Sequence, residues 1–564
     1  MASLEVTHRQ ILCAALIVLL AVALRAHAIG QDELWLDEAS SFHIATATDW
    51  LDVAVLNNTP PLYYVLLRGW IGVFGNSEAA VRSLSAVCGT LFVVAIIWFG
   101  WTVFRPVVGL WAGLWAAVSP IHIYYSQEAR AYTLVTLCLV LTYGFLWRAL
   151  QTNRWRVWAA AALSAAGALY GHYLAIFGLM PSVVVVLLWP ERGRWPRFGA
   201  ALAACLALVV PWVLWSFVFA PHSLEGAAWI GDIWRKTPPL LAIPKTLEVF
   251  GLGSQAGLVP VILRGYQVIQ FPTALRLLGL LLLLGLVGWA LVPQGDDALA
   301  IPALGRRKAL LLLMLLGPLA ALWLASLVKP LYVAGRYDIV AYPAYPLLLG
   351  LGCAKLQRRP EVGAVVAAAI ALLLLVPVGT KLYFYYREGT NQGFLITAAA
   401  LHRNVNNNDL VVFTDLRGLP ILYQMNRLGY RWEGGVCENR ALARRFSCRM
   451  YPRETELTPG AYDPTRVLSA PQTVRDEVAD LLLTVPPPTG RVHVVLGKFA
   501  RANGRLAATK IDSLLLDQLQ RQGFRPADAN VELGIIEYRR ALGEESQGEG
   551  RSQKPEFRRQ NSDF

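Results

Sequence analysis

RQILCAALIVLLAVALRAHAIGQDELWLDEA, residues 9–39, decides the class of this chain. An α-helix rises about 1.5 Å per residue, so about 20 apolar residues cross a hydrocarbon core about 30 Å thick. Residues 9–29 are such a run, and soon after it come two adjacent carboxylates, Asp37 and Glu38. A carboxylate at a membrane surface stays ionised at little cost, whereas one inside hydrocarbon is expensive. The position therefore suits a base that works on a polar substrate beside lipid. The plainer reading is a solvated first turn of a helix, where the helix dipole favours acidic residues. Residues 9–29 also look like a signal peptide, but no small-residue cleavage site with a clear polar stretch follows, and they read as a retained helix.

The rest of the chain extends the pattern. Its 564 residues are 55% hydrophobic and only 16% charged, with a mean hydropathy of +0.44. That is too apolar for a water-soluble protein. About eleven runs have the length to span as helices: roughly 9–29, 80–103, 107–122, 131–150, 156–171, 173–189, 198–219, 272–292, 308–327, 338–355 and 361–381. The net charge of +13 belongs to this topology and not to nucleic acid, because short cytoplasmic loops of membrane proteins collect Lys and Arg. Arg105; Arg148, Arg154 and Arg156; Arg192, Arg194 and Arg197; Arg306, Arg307 and Lys308; and Lys355, Arg358 and Arg359 all fall in alternate loops. Those loops are expected in the cytoplasm of a plasma (inner) membrane protein, with the N-terminus inside and everything after about residue 386 outside.

The expected architecture is a polytopic α-helical membrane domain over 1–386, with an outer loop at 30–79, followed by a small extracytoplasmic α/β domain over 387–540. Residues 410–414, 490–497 and 531–538 read as strands and 511–521 as an amphipathic helix, while 541–564 has the composition of a disordered tail. In the outer loop, Thr59 is placed to cap, and Pro60 to begin, a short interfacial helix from Leu62 to Phe74. The stretch 221–270 reads as a loop lying on or dipping into the bilayer. Cys13, Cys88, Cys138, Cys205 and Cys353 lie in expected spans as small apolar residues. Cys437 and Cys448 lie in the outer domain, where an oxidising compartment would let them pair.

With this topology, unusual polar residues gather at the outer ends of the spans. Asp37, Glu38 and His43 are in the first loop, and His122, Tyr124, Tyr125, Gln127, Glu128 and Arg130 follow the third span. Gly171, His172 and Tyr173 join the fifth and sixth spans, and Lys329, Tyr332, Arg336, Tyr337 and Asp338 the ninth and tenth. Each group has a plainer role: His172 as a structural turn residue, Arg130 and Glu128 as a mutual pair, Arg336 and Tyr337 as an interfacial anchor. Together they provide carboxylates to act as a base and guanidiniums to hold a phosphate at headgroup depth. Scattered histidines lack the spacing of a metal motif, and no Walker loop, dinucleotide glycine fingerprint, zinc-protease motif or nucleophile elbow is present.

Trp35-Leu36-Asp37-Glu38-Ala39, Thr59-Pro60-Pro61-Leu62-Tyr63-Tyr64, Phe74-Gly75-Asn76-Ser77-Glu78 with Arg82, Tyr125-Ser126-Gln127-Glu128-Ala129-Arg130-Ala131-Tyr132 and Gly335-Arg336-Tyr337 occur in that order. In this ordered set the chain resembles membrane-embedded glycosyltransferases of the C-type fold. The resemblance is to the superfamily of dolichyl-phosphate-mannose protein mannosyltransferases and aminoarabinose transferases (family 39-like, bacterial), over about residues 10–385. The resemblance implies an inverting transferase that uses a sugar on a polyprenyl phosphate, hexosyl or pentosyl, and a lipid, glycan or protein hydroxyl as acceptor. It implies Asp37 as general base, with Glu38 supporting it or helping to hold a divalent ion, to which His172 would also be a ligand. Arg130 and Arg336 would neutralise the leaving phosphate, with Gln127, Glu128 and Tyr337 shaping its pocket. His43, Tyr63, Tyr64, Tyr132, His172 and Tyr173 would line the substrate pocket.

The chain also departs from the family pattern. Asn57, Asn58 and Thr59 precede Pro60 where many relatives carry His or Asp, and the C-terminal domain does not resemble a β-trefoil insert. A transporter or flippase of a lipid-linked sugar is the competing expectation. It calls for ionisable residues along a path near the bilayer midplane, whereas here they cluster at one face.

Overall fold

The computed structural model describes residues 7–47, 60–187, 192–219, 228–235, 238–253, 273–292, 301–358, 363–387, 393–414, 418–451 and 491–540, except 434, 497–498, 503–504, 509 and 531. The chain divides into two compact units. The first comprises Met1–Asp32, Thr59–Phe219 and Ala228–Thr390; the second comprises Glu33–Asn58, Ala220–Ala227 and Asn391–Phe564.

The first unit is helical. Each expected span coincides with a helix, from His8–Ala26 to Gly363–Arg387. Among the described residues, however, only five helices are long and apolar enough to cross a membrane, or six if one bent pair counts as a single span, so a count of eleven is not established. Leu12, Leu16 and Leu19 of His8–Ala26, and Leu324 and Leu327 of Ile301–Val328, face outward. Lipid tails take the place of a protein core against such side chains, while the helices satisfy their own backbone groups. Small residues let the inner helices approach closely. A Cβ on Gly100 of Glu78–Val103 would stand 2.5 Å from the Cα of Gly109 in Pro106–Val118, so neither position accepts a larger side chain without separating the helices.

The third expected span, 107–122, is broken. Pro106–Val118 and Pro120–Ser126 meet at 63°, because Pro120 has no N–H to continue the ladder and its ring displaces the preceding turn. The carbonyls exposed at the break are taken up by Arg25, which is fully buried. Its Nη1 donates to Ala117 O (3.0 Å) and Ala21 O (3.2 Å), and its Nη2 to Ala116 O (3.0 Å) and His122 Nδ1 (3.1 Å). Nε completes the set on Ser126 Oγ at 3.1 Å. A guanidinium has five N–H groups and no acceptor, so every donor is used and His122 Nδ1 must be unprotonated. The tenth span is shortened as well: Tyr337–Ala341 is a 3-10 turn, and the α-helix runs only from Ala344 to Leu356. The short helix Leu62–Phe74 is present, but Pro61 occupies its N-cap and Pro60 lies outside its first turn; Thr59 lies outside the described residues.

The second unit carries a seven-stranded sheet in the order β2-β3-β4-β1-β5-β9-β8. The strands are β1 (Leu410–Phe413), β2 (Arg431–Glu433), β3 (Val436–Asn439), β4 (Arg444–Met450), β5 (Arg491–Val495), β8 (Phe524–Asn530) and β9 (Ile535–Arg540), with β6 (Phe499–Ala502) and β7 (Arg505–Ala508) forming a separate hairpin. β1 is central, parallel to β4 and β5, and buried along its whole length, as a strand covered on both faces must be. The expected strands at 410–414, 490–497 and 531–538 correspond to β1, β5 and β9, and the helix at 511–521 to Lys510–Arg521. β2, β3, β4 and β8 are short or charged, and their sequences carry little alternation. Cys437 of β3 and Cys448 of β4 form a disulfide, with Cα atoms 5.9 Å apart. The expected tail at 541–564 lies outside the described residues; within the expected 221–270 loop, Ala228–Arg235 and Pro239–Leu252 are helices, and 221–227, 236–237 and 254–270 lie outside the described residues.

Candidate active site

The first unit gathers one set of polar groups around the break. Pro120–Ser126 delivers the chain into Gln127–Arg130, which is tied back to the first helix: Gln127 Nε2 donates to Arg25 O (3.0 Å) and His27 O (2.7 Å). Below it, Tyr63 OH and Ser85 Oγ are 2.8 Å apart, and Ser85 Oγ donates to Arg130 O at 3.1 Å. Tyr63 and Tyr64 are both buried and form an edge-to-face pair, so Tyr63 supports the segment that presents Arg130.

Across from that segment lies the loop holding Arg336. Tyr125 OH donates to Gly335 O, and Arg336 Nε donates to Tyr132 OH at 2.8 Å. The guanidinium also faces the rings of Tyr132 and Tyr337 at 6.0 and 5.8 Å. His172 stands between the same two phenols, 6.0 Å from Tyr132 and 5.6 Å from Tyr337 by ring centroids. Burial pushes its imidazole down to about 3, and the charges of Arg130 and Arg336 act in the same direction. His172 is therefore neutral at physiological pH. Its Nδ1 accepts the Leu174 N–H at 3.2 Å, which leaves the proton on Nε2 as a hydrogen-bond donor. Tyr125, Tyr132, His172, Arg336 and Tyr337 are thus brought together, with Arg130 near enough to act on His172. Glu128 is buried in the same segment. Tyr173 instead stacks on Trp212 at 5.3 Å.

The Arg336 loop is held by Gly335, Tyr332 and Asp338, which the sequence patterns include, and by Thr246, which they do not. Gly335 adopts φ +78°, a conformation open to glycine and strained for other residues. Asp338 Oδ2 accepts the Gly335 N–H at 2.9 Å and the hydroxyl of Thr246, whose Oγ1 is 2.5 Å from Tyr332 OH. Asp338 is fully buried, and its Oδ1 has no hydrogen-bond partner among the described residues. Burial pushes the carboxyl up to about 7, against the opposing pull of those hydrogen bonds. Thr246 belongs to Pro239–Leu252, which also carries the buried ion pair Lys245–Glu248 at 3.3 Å. The available signal was that pair itself, two opposite charges in an otherwise apolar segment of a membrane protein.

Asp37, Glu38 and His43 belong to the second unit, on helix Leu36–Ala45. Both carboxylates are in its first turn, where the dipole stabilises negative charge. Glu38 is buried, and its Oε2 accepts the Trp35 N–H at 3.3 Å, so one of its oxygens serves as a helix cap. Asp37 is only partly buried, which makes it the more accessible of the two. His43 donates through Nε2 to Leu419 O at 3.0 Å and lies edge-on to Trp432 at 5.6 Å. Burial pushes its pKa down to about 4, the bond to Leu419 opposing the shift. Among the described residues no three His, Cys, Asp or Glu side chains converge to hold a metal ion.

Residues 58–215 match the family model described as dolichyl-phosphate-mannose-protein mannosyltransferase. A sequence search of curated proteins finds no match. Among solved structures, ArnT from Cupriavidus metallidurans bound to undecaprenyl phosphate is similar with a TM-score of 0.56 and 13% identity, over 94% of this chain and 97% of that one. Its apo form gives 0.55 at the same identity and coverage. The archaeal oligosaccharyltransferase AglB from Archaeoglobus fulgidus, in complex with an inhibitory peptide and a dolichol-phosphate, gives 0.52 at 11% identity, over 86% of this chain and 69% of that one. This chain is thus an integral membrane protein with the C-type glycosyltransferase fold, and its residues 58–215 resemble the protein mannosyltransferase family.

Proposed function

We propose that the protein is an inverting glycosyltransferase that moves a sugar from a polyprenyl-phosphate donor to an acceptor hydroxyl on the extracytoplasmic face, with the N-terminus in the cytoplasm. The observation that carries the reading is the placing of Arg130 and Arg336 around one neutral histidine and a set of phenols. Such a group binds a phosphate with charge-assisted hydrogen bonds from guanidinium and neutral donors from Tyr and His Nε2–H. The similarity to ArnT and AglB, whose structures hold undecaprenyl phosphate and a dolichol-phosphate, supports a polyprenyl phosphate as that ligand.

In this reading the acceptor oxygen attacks the anomeric carbon from the face opposite the phosphate. The new glycosidic C–O bond forms as the bond to the phosphate oxygen breaks, the acceptor proton passes to the Asp37 carboxylate, and the electron pair leaves with polyprenyl phosphate. Negative charge grows on the phosphate as the sugar departs, and preorganised guanidiniums there stabilise the transition state more than the ground state. Glu38 holds the turn that carries Asp37. The sugar is chosen by a few hydrogen bonds within the pocket.

The phosphate site is tested by native mass spectrometry of the purified protein with added polyprenyl phosphate. Arg130→Gln and Arg336→Gln should each weaken retention of the lipid by about tenfold or more, the scale of one lost charge-assisted bond. Wild-type retention in both variants would rule the site out. In liposomes, a lipid-linked sugar moved across the bilayer with its sugar still attached would point to a flippase.

A further inference from the structure

Helix Leu36–Ala45 is fastened to the C-terminal unit on both sides of its carboxylates, and we propose that this fastening sets the position of Asp37. Glu33 and His43 are then positioning residues for sugar transfer, and placing the base is a function of the C-terminal domain. The proposal rests on the reading of Asp37 as base.

Before the helix, Glu33 reaches across more than half the sequence to cap Phe394–Asn404. Its Oε1 accepts the Leu395 N–H at 2.7 Å and its Oε2 the Phe394 N–H at 3.3 Å. That helix has Gly393 at its N-cap and no side-chain cap of its own. Glu33 therefore supplies both the missing hydrogen bonds and the negative charge that a helix N-terminus favours. At the other end, His43 donates to Leu419 O at 3.0 Å. Phe42, buried, packs edge-to-face on the buried Tyr423 at 4.9 Å. Asp37 and Glu38 lie between these two attachments.

The attachments matter because Leu36–Ala45 is only ten residues long, and isolated helices shorter than about 12–15 residues are marginal in water. Its order must come from what it touches. A general base has to sit within hydrogen-bond reach of the proton it takes, and a misplacement of about 1 Å can cost about 10²-fold in rate.

The test uses the full-length protein in nanodiscs, with turnover of a polyprenyl-phosphate sugar and hydrogen exchange of residues 36–45 measured on the same samples. Glu33→Ala and His43→Ala should each lower kcat by about tenfold or more while leaving the donor KM unchanged, and should speed exchange in 36–45, joined in Glu33→Ala by the first turn of Phe394–Asn404, with the rest of the chain unchanged. Glu33→Gln keeps one of the two acceptor oxygens and loses the charge, so its kcat should fall between those of Glu33→Ala and the wild type. Wild-type kcat in Glu33→Ala, His43→Ala and their double variant, with Asp37→Asn inactive, would overturn the proposal and leave the base assignment standing. An active Asp37→Asn beside slow Glu33→Ala would overturn the base assignment instead. A kcat loss with exchange rising equally throughout the chain would reduce both residues to general stability and also overturn the proposal.

Discussion

Arg25, on helix His8–Ala26, uses all five guanidinium donors, four of them on Ala116, Ala117, His122 and Ser126 around the break and one on Ala21 O of its own helix. Its charge is tolerable in a membrane protein because no donor is left unmet. Arg25→Met would leave the carbonyls of Ala116 and Ala117 without these donors, at about 1–3 kcal/mol for each unsatisfied buried group. A marked fall in Tm in detergent is expected, and an unchanged Tm would show that the break does not depend on Arg25. Asp338 gives a sharper, pH-resolved case. Its folded pKa is raised, so its contribution to stability is greatest below the unfolded value of about 3.9 and declines as pH rises toward about 7. Asp338→Asn keeps an acceptor for Gly335 N–H and cannot ionise. Relative to wild type it should therefore gain stability between pH 5 and pH 8, read from thermal melts at the two pH values. His43 has the opposite sense: its pKa is lowered to about 4, so its neutral form contributes fully above the unfolded value of about 6.5. That contribution is lost as pH falls through the window between the two values. Hydrogen exchange in 36–45 should accelerate over that window, and His43→Gln should flatten the response.

At the level of elements, the apolar runs were readable because a bilayer demands about 20 apolar residues per crossing, and every expected run coincides with a helix. What could not be read was where those helices stop being straight. Pro120 signals a break, but the 63° bend persists because Arg25 satisfies the Ala116 and Ala117 carbonyls beside it, while Ser126 accepts from the Arg25 side chain and Gln127 ties the segment to the Arg25 and His27 carbonyls, all contacts distant in sequence. The soluble strands divide in the same way. β1, β5 and β9 are apolar and were found, whereas β2 reads Arg-Trp-Glu and is held by its pairing to β3. Asp409 fastens the start of β1 to β5, accepting from Arg491 Nη2 at 2.9 Å and standing 3.2 Å from His493 Nε2. The Cys437–Cys448 bridge then joins β3 to β4. For a loop of this size such a bridge contributes about 2–3 kcal/mol. Replacing both cysteines by serine should lower the stability of the C-terminal domain by that order in a denaturant titration, and thiol labelling of the unreduced, denatured protein should find neither Cys437 nor Cys448.

For the whole molecule, ordered motifs carried more of the candidate site than any local pattern. Tyr125, Arg130, Tyr132 and Arg336 belong to short strings that were legible, and the fold brings them together around His172. Thr246, Lys245, Glu248 and Arg25 were not singled out, because their meaning lies in partners far along the chain. The carboxylate helix is the clearest example. Its residues follow the first apolar run directly, yet 33–58 group with the C-terminal unit, where Glu33 and His43 make their bonds. Sequence proximity to the membrane said nothing of that attachment.

The proposed chemistry is transfer of a sugar from a polyprenyl phosphate with Asp37 as the base. Its most direct test is release of polyprenyl phosphate from a radiolabelled polyprenyl-phosphate sugar by the purified protein in nanodiscs, with Asp37→Asn measured beside it. Release by the wild type is expected, through transfer or slow hydrolysis, and about 10²–10⁴-fold less by Asp37→Asn, the range for loss of a general base, with lipid retention unchanged. Wild-type release by Asp37→Asn, or none by either protein despite bound donor, would contradict it.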